Sequence, residues 1–163
     1  MNLFASSPPP TRLTLRVLAH LLRYPDAAFR ANTAELRQAL RDEAALPATR
    51  LAELDALIRR LAIQPALDIE SEYVELFDRG RRTALHLFEH VHGDSRERGP
   101  AMIDLIQTYE KAGLFLGLNE LPDYLPVVLE FASTQPPQKA REFMGEIAHI
   151  VRVIFSALAS RQS

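Results

Sequence analysis

Apolar residues recur along this chain at spacings of three and four, the pattern of helices that each cover one face. Leu15, Leu18 and Leu22 mark the first stripe, with Thr11 or Thr14 as its N-terminal cap. Tyr24-Pro25-Asp26 ends that helix and caps a second, whose covered positions are Phe29, Leu36 and Leu40. Leu51, Leu54, Leu57, Ile58 and Leu61 form a third. Ile69, Tyr73, Leu76 and Phe77 stand at i, i+4, i+7 and i+8, one stripe of a fourth. Leu85, Leu87 and Phe88 indicate a fifth that ends near Gly93.

Met102, Leu105, Ile106 and Tyr109 repeat the spacing, with Pro100 in the first turn and Gly113 at the C-terminal cap. Tyr124, Val127, Val128 and Phe131 follow Leu121-Pro122-Asp123. Phe143, Ile147, Ile150, Ile154 and Leu158 make a long last stripe after Pro136-Pro137. No segment alternates with period two, and no Asn-Gly or Asp-Gly hairpin dipeptide occurs. The pattern predicts an all-α fold, a single globular bundle of about seven to eight helices. Residues 1–10, with Pro8-Pro9-Pro10, read as a stiff, exposed N-terminal leader, and 11–163 as the helical domain.

The 163 residues are enough for one domain with its own core. Cysteine is absent, so disulfides, thiolate metal sites, iron–sulfur ligation and a cysteine nucleophile are excluded. A reducing cytoplasm is compatible with that composition. No uninterrupted apolar run approaches the roughly 20 residues of a membrane span, and the N-terminus lacks the basic and apolar regions of a secretory signal. Nineteen basic against 21 acidic residues give a net charge of -2, which disfavours nucleic-acid binding. Charge is uneven: within 66–78 stand Asp68, Glu70, Glu72, Glu75 and Asp78, with no Lys or Arg.

Three constellations could carry chemistry. His86-Leu87-Phe88-Glu89-His90 matches H-x-x-E-H, in which two imidazoles one helical turn apart hold zinc and a Glu activates water. A zinc hydrolase would also need a further carboxylate ligand and a substrate lobe, hard to supply here. The plainer reading is a helix with histidines on its polar side. Arg79, Arg81 and Arg82 around Gly80 could bind a phosphate or form a solvated junction paired with acids. Asp68, Glu72 and Glu75 line one face of the fourth helix, beside the apolar stripe. An apolar groove with an acidic rim suits a basic amphipathic peptide; the plainer reading is a solvated charged face.

Tyr73-Val-Glu-Leu76-Phe77 fits the Y-x-x-L-F motif of the redox-enzyme maturation chaperones. Residues 73–93, YVELFDRGRRTALHLFEHVHG, resemble the central block of the respiratory nitrate reductase delta subunits, which are molybdenum cofactor assembly chaperones. DSRERGPAMIDLIQTYEKAGL and NELPDYLPVVLEF continue the likeness, which is close over about 65–133. Two features depart from it. The loop Glu120-Leu121-Pro122-Asp123-Tyr124 has Tyr where the family commonly has His. Members also usually extend well past a position like Ser163, so a short member or a shortened chain is expected.

The resemblance implies an all-helical, non-enzymatic protein without a cofactor of its own. Its partner would be the nitrate reductase alpha (catalytic) subunit, through the N-terminal leader, or the alpha–beta complex. It would hold that subunit in the cytoplasm for molybdenum cofactor and iron–sulfur insertion before membrane attachment, with no nucleic acid and no stable membrane insertion. The alternatives are a helical zinc-dependent hydrolase using His86, Glu89 and His90, or a non-catalytic scaffold for another partner. The peptide-binding residues expected are Asp68, Glu72, Tyr73, Leu76, Phe77, His86, Glu120, Pro122, Asp123 and Tyr124. Of these, Asp68, Glu72 and Asp123 are expected to meet leader cations. No catalytic or metal-ligating residue is expected.

Overall fold

The helical periodicity folds into nine α-helices among residues 9–161, the part of the chain that the structure, a computed structural model, describes. They are α1 (Arg12–Leu22), α2 (Ala27–Ala31), α3 (Thr33–Glu43), α4 (Ala48–Ile63), α5 (Ala66–Tyr73), α6 (Leu87–Val91), α7 (Arg98–Lys111), α8 (Leu125–Thr134) and α9 (Pro137–Ser160). No strand occurs among the described residues. The fold is all-α. Of the expected exposed leader, residues 1–8 lie outside the described part, and Pro9 and Pro10 are exposed.

Three helices are shorter than the pattern suggests, the fifth because α6 begins only at Leu87 and leaves Leu85 in the non-helical segment before it. The second stripe divides at Asn32, whose side-chain Nδ2 donates to the Ala28 carbonyl at 2.9 Å while its backbone N–H donates to the Phe29 carbonyl, and α2 closes there before α3 begins. Asp26 caps α2 as expected, accepting from the Phe29 amide at 2.8 Å. The fourth stripe is α-helical only to Tyr73 and continues through Val74–Asp78 as a wider π-helical turn.

The cap of α1 is not local. Thr11 holds the cap position but its hydroxyl makes no capping bond. Instead Glu43, at the end of α3, accepts from the Leu13 amide at 2.8 Å and the Thr14 amide at 2.7 Å. A carboxylate there satisfies two orphan donors and opposes the positive end of the helix dipole.

α1 and α8 lie at the centre and pack extensively on each other. Leu15 and Ala19 of α1 join Leu125, Val128, Leu129 and Ala132 of α8, Leu87 of α6, and Ala140, Ile150 and Ile154 of α9. The other side of α1 sends Val17 against Leu40 and Ile58. The far side of α8 packs Val127 and Phe131 on Tyr109 of α7. α8 is apolar nearly all round because it is covered on every side.

α9 buries one stripe and leaves Val153 and Phe155 exposed. Over its most apolar 18 residues its mean hydropathy is 1.4, enough by length and composition to cross a membrane, although the sequence holds no long uninterrupted apolar run. A packed helix of a bundle meets the same criterion.

Candidate functional site

An apolar cleft of about 240 Å³ opens between α1, α4 and α5. Tyr73, Leu76 and Phe77 form one wall, and Leu54, Leu57 and Leu61 of α4 face them. Leu18, Leu21 and Leu22 of α1 and Phe29 of α2 make the floor. The i, i+3, i+7 spacing of the α4 leucines keeps them on one side of that helix, and only Ile58 of α4 is fully buried. Those leucines are half-buried because the cleft lies over them. The π-helical turn carries Leu76 and Phe77 on from Tyr73, and the Phe77 ring packs against the Tyr73 ring at 5.0 Å, tilted by 57°.

The lip of the cleft is charged but locally neutralised. Arg60 lies 3.0 Å from Glu72 across the gap between α4 and α5. Arg23 reaches Glu130 at 3.0 Å and Glu120 at 3.5 Å, and its guanidinium stands 5.9 Å from the centre of the Tyr124 ring. Glu75 is held by Arg79 at 3.4 Å and Arg161 at 3.6 Å. Asp68 is exposed and takes no part in lining the cleft. The acidic stretch 66–78 is therefore less free than its composition implies, since Glu72 and Glu75 have arginines of their own.

Behind the Tyr73 wall a second group is bonded together. The Tyr73 hydroxyl donates to the Leu22 carbonyl at 2.6 Å. It lies 3.0 Å from the Tyr124 hydroxyl, and with its single proton committed it must accept from Tyr124. Burial, helped by that neighbouring hydroxyl, pushes the Tyr73 phenol well above its ordinary range. Tyr124 stacks on the His86 ring at 5.0 Å, and the two residues pair as an isolated antiparallel bridge. In that bridge the Leu125 amide donates to the Leu85 carbonyl at 2.8 Å, and the Leu87 amide to the Asp123 carbonyl at 3.0 Å.

Asp123 corrects an expectation. Its side chain is fully buried, so it does not stand on a rim to meet a cation from outside. One carboxylate oxygen accepts from the Phe88 amide at 3.0 Å. With the backbone bond to Leu87, Asp123 thus satisfies two donors at the start of α6. The other oxygen, Oδ1, faces His86 Nδ1 at 3.8 Å, and neither atom has a hydrogen-bond partner among the described residues. Pro122 is also buried, and its carbonyl accepts from the Tyr109 hydroxyl at 2.7 Å. Burial, then the Asp123 charge, raise the Tyr109 phenol above its usual range.

The ten expected residues therefore separate, with Asp68 exposed outside the cleft. Glu72, Tyr73, Leu76 and Phe77 line the cleft. His86, Pro122, Asp123 and Tyr124 form the bridge behind it, joined to it through Tyr73. Glu120 borders a different cleft, beyond Arg23. Sequence reasoning missed Arg60 and the contributions of α1 and α4. The signal for α4 was present in its apolar stripe, five residues wide, which is broader than one neighbour covers.

The H-x-x-E-H string does not form the helical pair that zinc binding requires. His86 precedes α6 in extended conformation, so it is not one turn from His90 on the same helix. His90 Nε2 is 2.7 Å from the Ala84 carbonyl, and Glu89 is paired with Arg98 at 2.7 Å. Among the described residues no three His, Asp or Glu side chains converge as a metal set.

The family model described as nitrate reductase delta subunit matches residues 22–161. The chain is 42% identical over 151 residues to the nitrate reductase molybdenum cofactor assembly chaperone NarJ of Escherichia coli (strain K12), covering 93% of this chain and 64% of that protein. It is 34% identical over 152 residues to the probable chaperone of the same name in Bacillus subtilis (strain 168), covering 93% and 82%. The chain thus spans a little under two thirds of the length of the E. coli relative. A crystal structure of an Archaeoglobus fulgidus protein assigned to redox enzyme maturation shares the fold, with a TM-score of 0.61 at 19% identity, covering 98% of this chain and 94% of that one.

Proposed function

The chain belongs to the nitrate reductase delta subunit family, and from that premise we propose that it is a non-catalytic, system-specific chaperone whose apolar cleft receives the N-terminal leader of a nitrate reductase alpha subunit. In this reading it holds the alpha subunit, alone or with beta, in the cytoplasm. There the molybdenum cofactor and an iron–sulfur cluster enter before membrane attachment.

One observation carries the reading: leucines of α1 and α4 and the Tyr73–Phe77 wall surround an open, almost wholly apolar trough. An amphipathic helix buries its apolar stripe in such a groove. Each leucine it covers is worth about 1.5–3 kcal/mol, against roughly 0–1 kcal/mol for an exposed ion pair. Affinity then comes mainly from the trough, and the flanking charges set orientation and encounter rate. Of the expected cation partners, Asp68 and Glu72 remain; the bridge of His86, Asp123 and Tyr124 supports the wall from behind.

Titration calorimetry with a synthetic leader of the alpha subunit tests this. Leu57→Asp and Leu61→Asp, at half-buried positions facing the trough, should weaken binding at least about ten-fold with the helical circular dichroism retained. Unchanged affinity in both variants removes the trough as the docking site.

A further inference from the structure

The basic cluster Arg79, Arg81 and Arg82 has no part in the leader cleft, and its members differ in their surroundings. Arg79 is 3.4 Å from Glu75, and Arg81 is 4.0 Å from Asp94. Arg82, on the 3-10 turn Arg81–Thr83, has no acidic partner among the described residues. The same holds for Arg152 of α9, which packs directly on that turn. Arg82 and Arg152 line one open cleft of about 390 Å³, together with His90, Val153, Ser156 and Ala157. It shares no residue with the apolar trough.

We propose that this cleft binds the phosphate group of a small organic phosphate ester, held between Arg82 and Arg152. Two guanidinium groups on one cleft carry like charge, and no carboxylate of the described residues forms an ion pair with either. An anion seated between them pairs with both. The planar five-donor fork of arginine matches phosphate oxygens, and two forks arriving from different elements can take opposite edges of one group. Ser156 follows Arg152 by one helical turn, so both side chains stand on the same face of α9, and its hydroxyl is a further donor.

His90 fixes the wall. The Ala84 carbonyl can only accept, so the bond at 2.7 Å comes from Nε2–H and holds the ring in place. Val153 and Ala157 add an apolar side to the cleft. Its volume lies in the range of small-molecule sites, several times what one phosphate needs. The organic part of an ester occupies the remainder, over Val153 and Ala157.

The full chain is titrated calorimetrically at low ionic strength with adenosine monophosphate, ribose 5-phosphate, inorganic phosphate and adenosine. The proposal expects saturable binding of at least one ester, weaker binding of inorganic phosphate, and none of adenosine. Arg82→Gln and Arg152→Gln should each weaken ester binding about ten-fold or more, while Arg79→Gln, already paired within the chain, changes it less than two-fold. Both arginines are exposed, so the variants are expected to fold, and circular dichroism checks that they do. Absence of saturable binding by either ester overturns the proposal. So does an equal loss in Arg79→Gln and Arg152→Gln, which marks diffuse charge attraction, and so does inorganic phosphate binding as tightly as the esters.

Discussion

Arg60 Nη1 lies 3.0 Å from Glu72 Oε2, so the carboxylate at the lip of the apolar trough already holds a cation from its own chain. Both side chains are about two-fifths exposed, and the bond is the modest kind that solvent screens. An arriving leader cation must displace Arg60 or settle beside the pair. Arg60→Gln should therefore tighten a basic leader peptide two- to five-fold at low salt, about 0.5–1 kcal/mol, and the gain should vanish in high salt. Calorimetry at two salt concentrations reads both effects. No change in affinity at either salt means that Glu72 does not meet the peptide.

Tyr73 and Tyr124 share a hydroxyl contact but are not equivalent. Tyr73→Phe strips the Leu22 carbonyl of its donor and leaves the Tyr124 hydroxyl without an acceptor. It should cost about 1–3 kcal/mol. Tyr124→Phe leaves the Tyr73–Leu22 bond intact and should cost less than about 1 kcal/mol. Urea denaturation of the two variants gives the comparison; a larger loss for Tyr124→Phe contradicts the assigned direction of donation.

Asp123 predicts a stability effect without a binding effect. Asp123→Ala leaves the Phe88 amide unpaired at the start of α6 and should destabilise the chain by about 1–3 kcal/mol, with faster hydrogen exchange at Phe88. Asp123→Asn keeps an oxygen acceptor and should lose less. The salt dependence of leader binding should stay the same in Asp123→Asn, because the carboxylate is buried. An altered salt dependence there would reinstate Asp123 as a partner for leader cations.

Asp55 supplies a pH dependence. Its hydrogen bond with Arg37, 2.6 Å from Nε to Oδ1, holds its carboxyl below the ordinary value, and the charges of Arg37, Arg59 and Arg41 act in the same direction. The folded pKa is lowered, so the stabilisation is complete above the unfolded value of about 3.9. It is lost as the pH falls through the folded value. Wild type should exceed Asp55→Asn in stability at neutral pH, and the gap should close in strong acid. Denaturant midpoints across that range decide it; a gap that stays constant with pH means that ionisation of Asp55 contributes nothing.

The helices were legible because each covers one apolar stripe, and Asp26 and the Tyr73–Leu76–Phe77 wall were readable for the same local reason. Asn32 was not read as a break, since the stripe Phe29, Leu36, Leu40 runs across it and the bonds that close the first piece are those of Asn32 itself, back to Ala28 and Phe29. The burial of Asp123 depends on pairing with Leu87 and Phe88, some 35 residues away, which no local pattern encodes. The same holds for Arg60 and Arg161, which reach Glu72 and Glu75 from α4 and from residue 161; only Arg79, one turn beyond Glu75, was a local cation.

The bond from Glu43 to the first amides of α1 spans about thirty residues. The cap on the opening turn of α1 is therefore a tertiary contact, made only where α3 packs beside α1. Loss of the Glu43 carboxylate would leave the Leu13 and Thr14 amides only water to donate to, so a change in α3 would be felt at the start of the helix that floors the trough.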